Sequence, residues 1–272
     1  MESMDILSIF EQRLKPSKQP IEAMEEKWNQ KAEMFYSNQI NGSTYYSDAV
    51  PRLLEQKKIL DPSVSVLDIG AGSGRYAIPL AKRCKSVRAL DLSSEMLQFL
   101  ELEIEKNNLD NIDIIKSAWP PTTEEIGEFD VAFSAMCPAT RSVKALEAMS
   151  NVAKKHGVIC QFTASSDNVV EALQKHQQIE KVKGPHNNRD LLQSYFNILW
   201  ELGYQPDISY LHDTFVINMS FNEALHTYQQ RYEHVKAEQL GKVLSSIQQE
   251  EDSIKVIKKT TLAVITWETN KN

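Results

Sequence analysis

Between residues 64 and 162, short apolar runs alternate with amphipathic stretches, setting out strands and helices in turn. The run Val64–Ile69 is β-branched and apolar throughout, as a strand covered on both faces must be. A glycine-rich turn follows it, then a helical stretch over 74–84 and a second strand at Val87–Asp91. In SSEMLQFLELEIEKNN the residues Leu97, Leu100 and Ile104 share one helical face, and Ser93 or Ser94 can cap that helix. Strands are predicted at Ile112–Ile115 and Phe129–Ala135, separated by a turn at Pro120-Pro121. A helix carrying Val143, Leu146, Met149 and Ala153 then leads through a tight turn at His156-Gly157, with His156 exposed, into a strand at Val158–Phe162. Strict alternation of this kind implies right-handed crossovers and a parallel sheet.

The flanks break the pattern. Residues 1–60 read as a polar helical cap anchored by Trp28, Phe35, Tyr36, Tyr45 and Tyr46. After residue 167 the chain turns mostly helical, with a stripe of Leu192, Tyr195, Phe196, Leu199 and Leu202 that stops at Gly203. Two more strands are predicted, Asp207–Met219 and about Lys258–Trp267. Between them Ser220-Phe221-Asn222-Glu223 has the form of a capping box and opens a helical insertion reaching about Gln249. The expected division is a cap over 1–60 and an α/β domain over 61–272 with an insertion at 220–249.

With 272 residues, 42% of them hydrophobic, the chain can bury a sizeable core. Its formal net charge is −7 and no dense run of Lys and Arg could track a phosphate backbone, so a nucleic-acid substrate is disfavoured. Cys84, Cys137 and Cys160 are odd in number, widely spaced and free of any CxxC pair. Reduced thiols in the cytoplasm are therefore expected, with neither a disulfide framework nor a zinc knuckle. The six histidines, His156, His176, His186, His212, His226 and His234, show no metal spacing, and no metal is expected. The opening MESMDILSIFEQRLK reads as neither signal peptide nor lipidation signal, and no apolar run approaches a membrane span.

The segment VLDIGAGSGRY, Val66–Tyr76, carries the most chemical information. Gly70, Gly72 and Gly74 stand as GxGxG between a strand and a helix, where a ligand can approach backbone that has no Cβ in the way. A dinucleotide fingerprint would place its third glycine at position 75, which is Arg75, so a pyrophosphate-bearing cofactor is disfavoured. Asp91 ends the second strand, where a carboxylate can accept hydrogen bonds from both hydroxyls of an unphosphorylated ribose. Asp68 lies beside the turn; it would repel a pyrophosphate but can hold an amino group.

Here the chain resembles the class I S-adenosylmethionine-dependent methyltransferases, in their small-molecule branch of type 11/25. LDIGAGSG matches the first motif of that family, DLSSEML the second, and FDVAFSAM the strand that delivers the fourth; KWNQKAEMFY is similar to its entry segment. The resemblance implies a Rossmann-like, doubly wound, seven-stranded sheet, mostly parallel with the last strand antiparallel and the last two strands as a hairpin. It implies S-adenosylmethionine as cofactor and S-adenosylhomocysteine as product. Asp68, Gly70, Ala71, Gly72, Ser73 and Gly74 would then lie at the methionine part, Asp91 at the ribose, and Leu92 and Met96 on either side of the adenine. The chain departs from the pattern after the third strand, where Ser117-Ala118-Trp119 replaces the usual acidic residue. Ser117 could accept a weaker hydrogen bond from the adenine amino group, and Trp119 could stack on a ring or simply pack above the Pro-Pro turn.

Methyl transfer from a sulfonium needs alignment, and removal of a proton where the acceptor carries one, so no catalytic triad is sought and no catalytic residue is named. The loop Ala135–Arg141 belongs at the carboxyl edge of the sheet, where open α/β sheets hold ligands. It lacks the Asn/Asp-Pro-Pro-aromatic motif of amino-directed nucleic-acid enzymes, and Cys137-Pro138 reverses the Pro-Cys order of those that attack pyrimidines covalently. Cys137 is thus a candidate wall residue rather than a nucleophile. Arg141 could meet an acidic acceptor or sit at the surface as a helix-start arginine, and Tyr36 and Tyr46 are candidates for the acceptor pocket or for packing of the cap. The cap and the insertion are expected to cover the cofactor edge, with removal of residues 1–40 leaving the sheet folded. The predicted function is methyl transfer to a small molecule. Non-catalytic adenosylmethionine binding, aminocarboxypropyl transfer on the same fold, and a nicotinamide oxidoreductase are the alternatives.

Overall fold

Every residue from Val66 to Ile69 is buried, which a strand with neighbours on both edges and helices on both faces requires. In the computed structural model, which describes residues 5–121, 126–176, 185–248 and 253–270, this strand is β1 (Ser65–Ile69). It pairs in parallel with β2 (Ser86–Asp91) on one edge and β4 (Phe129–Ala135) on the other. β3 (Ile112–Lys116) joins β2, and β5 (Ala153–Asp167) joins β4, again in parallel. β6 (Asp207–Ser220) and β7 (Ser253–Glu268) complete a seven-stranded sheet in the order β3-β2-β1-β4-β5-β7-β6. β7 runs against β5: Thr269 N donates to Lys155 O and Thr163 Oγ1 to Thr261 O, so residue numbers fall on one strand as they rise on the other. This is the mostly parallel Rossmann-like sheet with an antiparallel last strand that the sequence predicts.

Contacts divide the chain into two compact units. The first takes in Met1–Gln161, Asp190–Leu211 and Ala263–Asn272. Its helices are α1 (Ile6–Leu14), α2 (Ile21–Asn29), α3 (Ala32–Asn41), α4 (Tyr45–Gln56), α5 (Ala77–Ala81), α6 (Ser94–Lys106) and α7 (Val143–Val152), with nearly all of α9 (Arg189–Glu201). One core joins Leu67, Ile69, Leu90, Leu146, Ile198 and Trp267, and α1 sends Leu14 into it. Ser93, not Ser94, caps α6 by accepting from Met96 N.

The second unit takes in Phe162–Arg189 and His212–Leu262 and carries α8 (Asn168–Lys175), α10 (Phe221–Arg231) and α11 (Ala237–Ile247). Ser220 caps α10 with both bonds of the predicted capping box, through Glu223. Val170, Leu173, Tyr228, Leu240, Leu244 and Ile254 form its own core. Gln249, where the insertion is predicted to end, lies outside the described residues.

Several boundaries differ from the sequence pattern: the helix expected over 74–84 is only Ala77–Ala81, and β5 runs past the predicted Phe162 to Asp167. The predicted turn at Gly157 is absent: β5 already starts at Ala153, and Gly157 pairs with Ala132 inside the sheet, with His156 half-buried beside it. The glycine is needed for packing, because the Trp267 ring of β7 fills the space a Cβ would take, with its indole N–H donated to Ser150 Oγ at 3.0 Å. The last strand starts at Ser253, five residues before the predicted Lys258, because the polar positions of its first half alternate with buried Ile254 and Val256.

Candidate cofactor and acceptor site

The register of β1 on β2 sets Ile69 opposite Leu90, so the glycine turn and Asp91 leave the sheet at the same edge. Gly70 N and Ala71 N both donate to Leu90 O, at 2.8 and 3.0 Å, which fixes the first bend. Gly70 and Gly72 take φ of 74° and 55°, left-handed values that a side chain disfavours. A Cβ on Gly70 would collide with the Cys137 thiol, whereas one on Gly72 would meet only Met96 Sδ at 3.9 Å. Gly72 therefore presents open backbone, and Gly74 leaves room for Leu100 of α6. Ala71 and Ser73 are buried within the turn.

Two carboxylates face this turn. Asp91 Oδ2 accepts from Gly72 N at 2.8 Å and Oδ1 from Ser93 N at 2.9 Å; burial raises its pKa and those amide bonds partly offset the rise. Asp68 is 2% exposed and its Oδ2 has no hydrogen-bond partner. Burial, reinforced by the charge of Asp91, pushes the Asp68 pKa up to about 8. An unpartnered buried carboxylate oxygen is costly to leave so, and a cationic group beside it would lift that cost.

Helix α3 is tied onto the turn, and α2 onto the start of α6 and the end of β3. Gln39 donates to Ser73 O at 3.1 Å and accepts from Ser73 Oγ at 2.7 Å. Asn29 Oδ1 accepts from Ser93 Oγ at 2.7 Å, and Glu25 pairs with Lys116 at 2.6 Å. Sequence reasoning missed Asn29 on α2 and Gln39 on α3, whose polar side chains carry no spacing signal.

The other candidates spread over three places. Leu92 is half-buried and Met96 buried at the start of α6, and Ala135 ends β4 opposite Cys160. Ser117 N donates to Asp91 O at 3.0 Å, which brings the Ser117-Ala118 backbone to the same edge; the Ser117 hydroxyl donates to Ala118 O. Trp119 packs in the core with its indole N–H on Ala145 O at 3.2 Å, so of the two roles considered for it the structure supplies the packing contact. Tyr36 stacks on Phe99 of α6 with centroids 4.4 Å apart and donates to Glu103 Oε1 at 2.8 Å, and Tyr46 is buried edge-on to Tyr45. The Tyr36 contacts are made to α6, and Tyr46 lies near enough to Tyr76 to act on its ionisation.

Cys137 and Arg141 share the loop after β4. Burial, and then the charge of Asp91, pushes the Cys137 thiol up to about 12, which keeps it protonated and a poor nucleophile. Pro138–Thr140 form a 3-10 turn, and Thr140 Oγ1 donates to Cys137 O at 2.9 Å and lies 3.2 Å from Tyr195 Oη. Among the described residues, no three His, Cys, Asp or Glu side chains gather as metal ligands, and no helix is long and apolar enough to cross a membrane.

Residues 66–157 match the family model described as a methyltransferase domain. An uncharacterized protein of Haemophilus influenzae is 30% identical over 108 residues, 40% of this chain and 39% of that protein. A probable cobalt-precorrin-6B C(15)-methyltransferase (decarboxylating) of Methanobrevibacter smithii is 27% identical over 86 residues, 31% of this chain and 46% of that one. These matches span less than half the length of either relative. Among solved structures, the magnesium protoporphyrin IX methyltransferase of Synechocystis PCC 6803 with bound SAH superposes with a TM-score of 0.50 at 12% identity, covering 90% of this chain and 98% of that one. The fold is that of a Rossmann-like methyltransferase.

Proposed function

We propose that this chain, whose residues 66–157 match the methyltransferase family model, binds S-adenosylmethionine at the glycine turn and methylates a small molecule. The observations that carry the reading are the buried Asp68, whose Oδ2 has no hydrogen-bond partner, two positions before Gly70, and the open backbone of Gly72 within the turn. A ligand bearing both an ammonium and a sulfonium suits two carboxylates that burial has left poorly compensated. Asp68 holds the amino group, Gly72 gives the backbone face, and Asp91 takes the ribose hydroxyls. Leu92, Met96 and the Ser117-Ala118 backbone border the adenine.

When bound, S-adenosylmethionine supplies a methyl group on a positively charged sulfur. The chain's own contribution is to bind, orient and exclude water: α3, fastened by Gln39, closes the turn from the cap side, α2 is fastened by Asn29 to the start of α6, and the Cys137–Arg141 loop forms the wall on the side of β4. No nucleophilic step is assigned to the protein, since the Cys137 thiol stays protonated. The absence of a clustered basic stretch in the sequence favours a small acceptor over a nucleic acid, and the free cysteines suit the cytoplasm. Heating the full chain with S-adenosylhomocysteine and, separately, with NADH tests the reading: protection by the first alone is expected. Protection by NADH alone would overturn it.

A further inference from the structure

Among the described residues of the first unit, Arg141 is the arginine with a buried side-chain nitrogen that lacks a hydrogen-bond partner. Arg83 and Arg88 each meet a carboxylate, Glu55 and Asp113. Among the described residues no carboxylate pairs with Arg141, and its Nε is buried without a hydrogen-bond partner. A guanidinium N–H enclosed in this way costs free energy unless an acceptor arrives.

The groups around it determine what that acceptor can be. The single hydroxyl hydrogen of Thr140 goes to Cys137 O, so in the 3.2 Å contact with Tyr195 the phenol must be the donor. The phenol oxygen therefore keeps its lone pairs for the Arg141 guanidinium: burial raises the Tyr195 pKa, and the charge and hydrogen bond of Arg141 pull it back. Tyr195 thereby steers the guanidinium without neutralising it. A 3-10 turn advances only about 2 Å per residue, which places Arg141 roughly 8 Å along the loop from Cys137, the residue seated on Gly70. The positive charge lies near enough to act on Cys137 together with the charges of Asp91 and Asp68.

Resting on the methyltransferase reading, we propose that the methyl acceptor carries a carboxylate and that Arg141, oriented by Tyr195, binds it. The planar fork of a guanidinium fits a carboxylate through two parallel hydrogen bonds. A dianionic phosphate fits less well, because its second negative charge would be repelled by Asp91.

The test is calorimetry on the full chain, with and without saturating S-adenosylhomocysteine, titrated with acetate, benzoate and phenylacetate, each against its neutral amide, and with inorganic phosphate. At least one acid is expected to bind where its amide does not. Arg141→Gln should weaken that acid at least tenfold, roughly the effect of one hydrogen bond to a charged group, while leaving S-adenosylhomocysteine affinity unchanged. Arg141→Lys, which keeps the charge and loses the fork, should recover part of the loss. Equal binding of acid and amide, binding of phosphate in place of the acids, unchanged acid affinity in Arg141→Gln, or no acid bound at all would overturn the proposal. If S-adenosylhomocysteine itself failed to bind the wild-type chain, the methyltransferase reading would fall, and the titrations without it would still decide the role of Arg141.

Discussion

The thiol of Cys137 fills the space that a side chain on Gly70 would need, so the first glycine of the turn is required by protein packing, whereas the second, Gly72, has open space in front of it. Gly70→Ala should therefore strain the turn and push the β4 loop away, at a cost of about 1–3 kcal/mol for overpacking. Gly72→Ala meets only Met96 Sδ, so its cost is confined to the left-handed backbone, about 1 kcal/mol. Urea unfolding should rank them in that order. Pairing Gly70→Ala with Cys137→Gly should recover part of the lost stability, whereas Gly72→Ala should lose S-adenosylhomocysteine affinity with its fold intact. Equal destabilisation by both single changes would contradict the division.

Asp68 makes the ligand-free protein sensitive to pH. Its folded pKa of about 8 lies above the ordinary 3.8, so between those values the folded chain keeps a proton that the unfolded chain has released. Stability from this group is full below pH 4 and is lost as pH rises through about 8. Asp68→Asn cannot ionise, and its unfolding free energy should decline less across that window. The same variant should bind S-adenosylhomocysteine more weakly. A wild-type and variant pair with parallel stability profiles would remove Asp68 from the account.

The cap is part of the fold. Leu14 of α1 is fully buried in the core shared with Leu146 and Ile198. The expectation that residues 1–40 can be deleted with the sheet left intact is therefore revised: Leu14→Ala alone should cost about 2–5 kcal/mol. The deletion should unfold well below the wild-type temperature. Gln39→Ala, which severs both bonds to Ser73, should leave thermal stability within about 1 kcal/mol and speed cofactor release. A truncated chain with wild-type melting behaviour would reinstate the idea of a detachable cap.

Cys137 should resist alkylation. With its pKa pushed up to about 12 by burial, almost none of the thiol is ionised at pH 8, and iodoacetamide should label it far more slowly in the folded chain than in urea. Labelling should slow further with S-adenosylhomocysteine present. Fast labelling of the native protein at pH 8 would show that the thiol is activated, and would reopen a nucleophilic role.

Most of the sheet was legible because its strands are apolar on both faces and its helices are not. Val66–Ile69, Ser86–Asp91 and Phe129–Ala135 stand out by period, and the capping residues Ser93 and Ser220 mark their helices by local chemistry. Gly157 misled because glycine signals a turn in sequence, whereas here it makes room for Trp267, 110 positions away along the chain. In the site, the GxGxG turn, Asp68 and Asp91 announced themselves by spacing. Asn29, Gln39 and Tyr195 did not, since each is defined by a partner remote in sequence, Ser93, Ser73 and Thr140. Tyr36 was singled out as an aromatic of the cap, and the structure engages it with Phe99 and Glu103.

The central claim is that the turn and its two acids hold an adenosyl cofactor, and titration calorimetry of S-adenosylhomocysteine into the wild-type chain and Asp91→Ala tests it most directly. One equivalent should bind the wild type, and the variant should bind more weakly by about 1.5–3 kcal/mol, the worth of hydrogen bonds to a charged group. Circular dichroism would confirm that the variant stays folded despite losing the bonds to Gly72 N and Ser93 N. No heat of binding with the wild-type chain, or the same affinity in folded Asp91→Ala, would contradict the account.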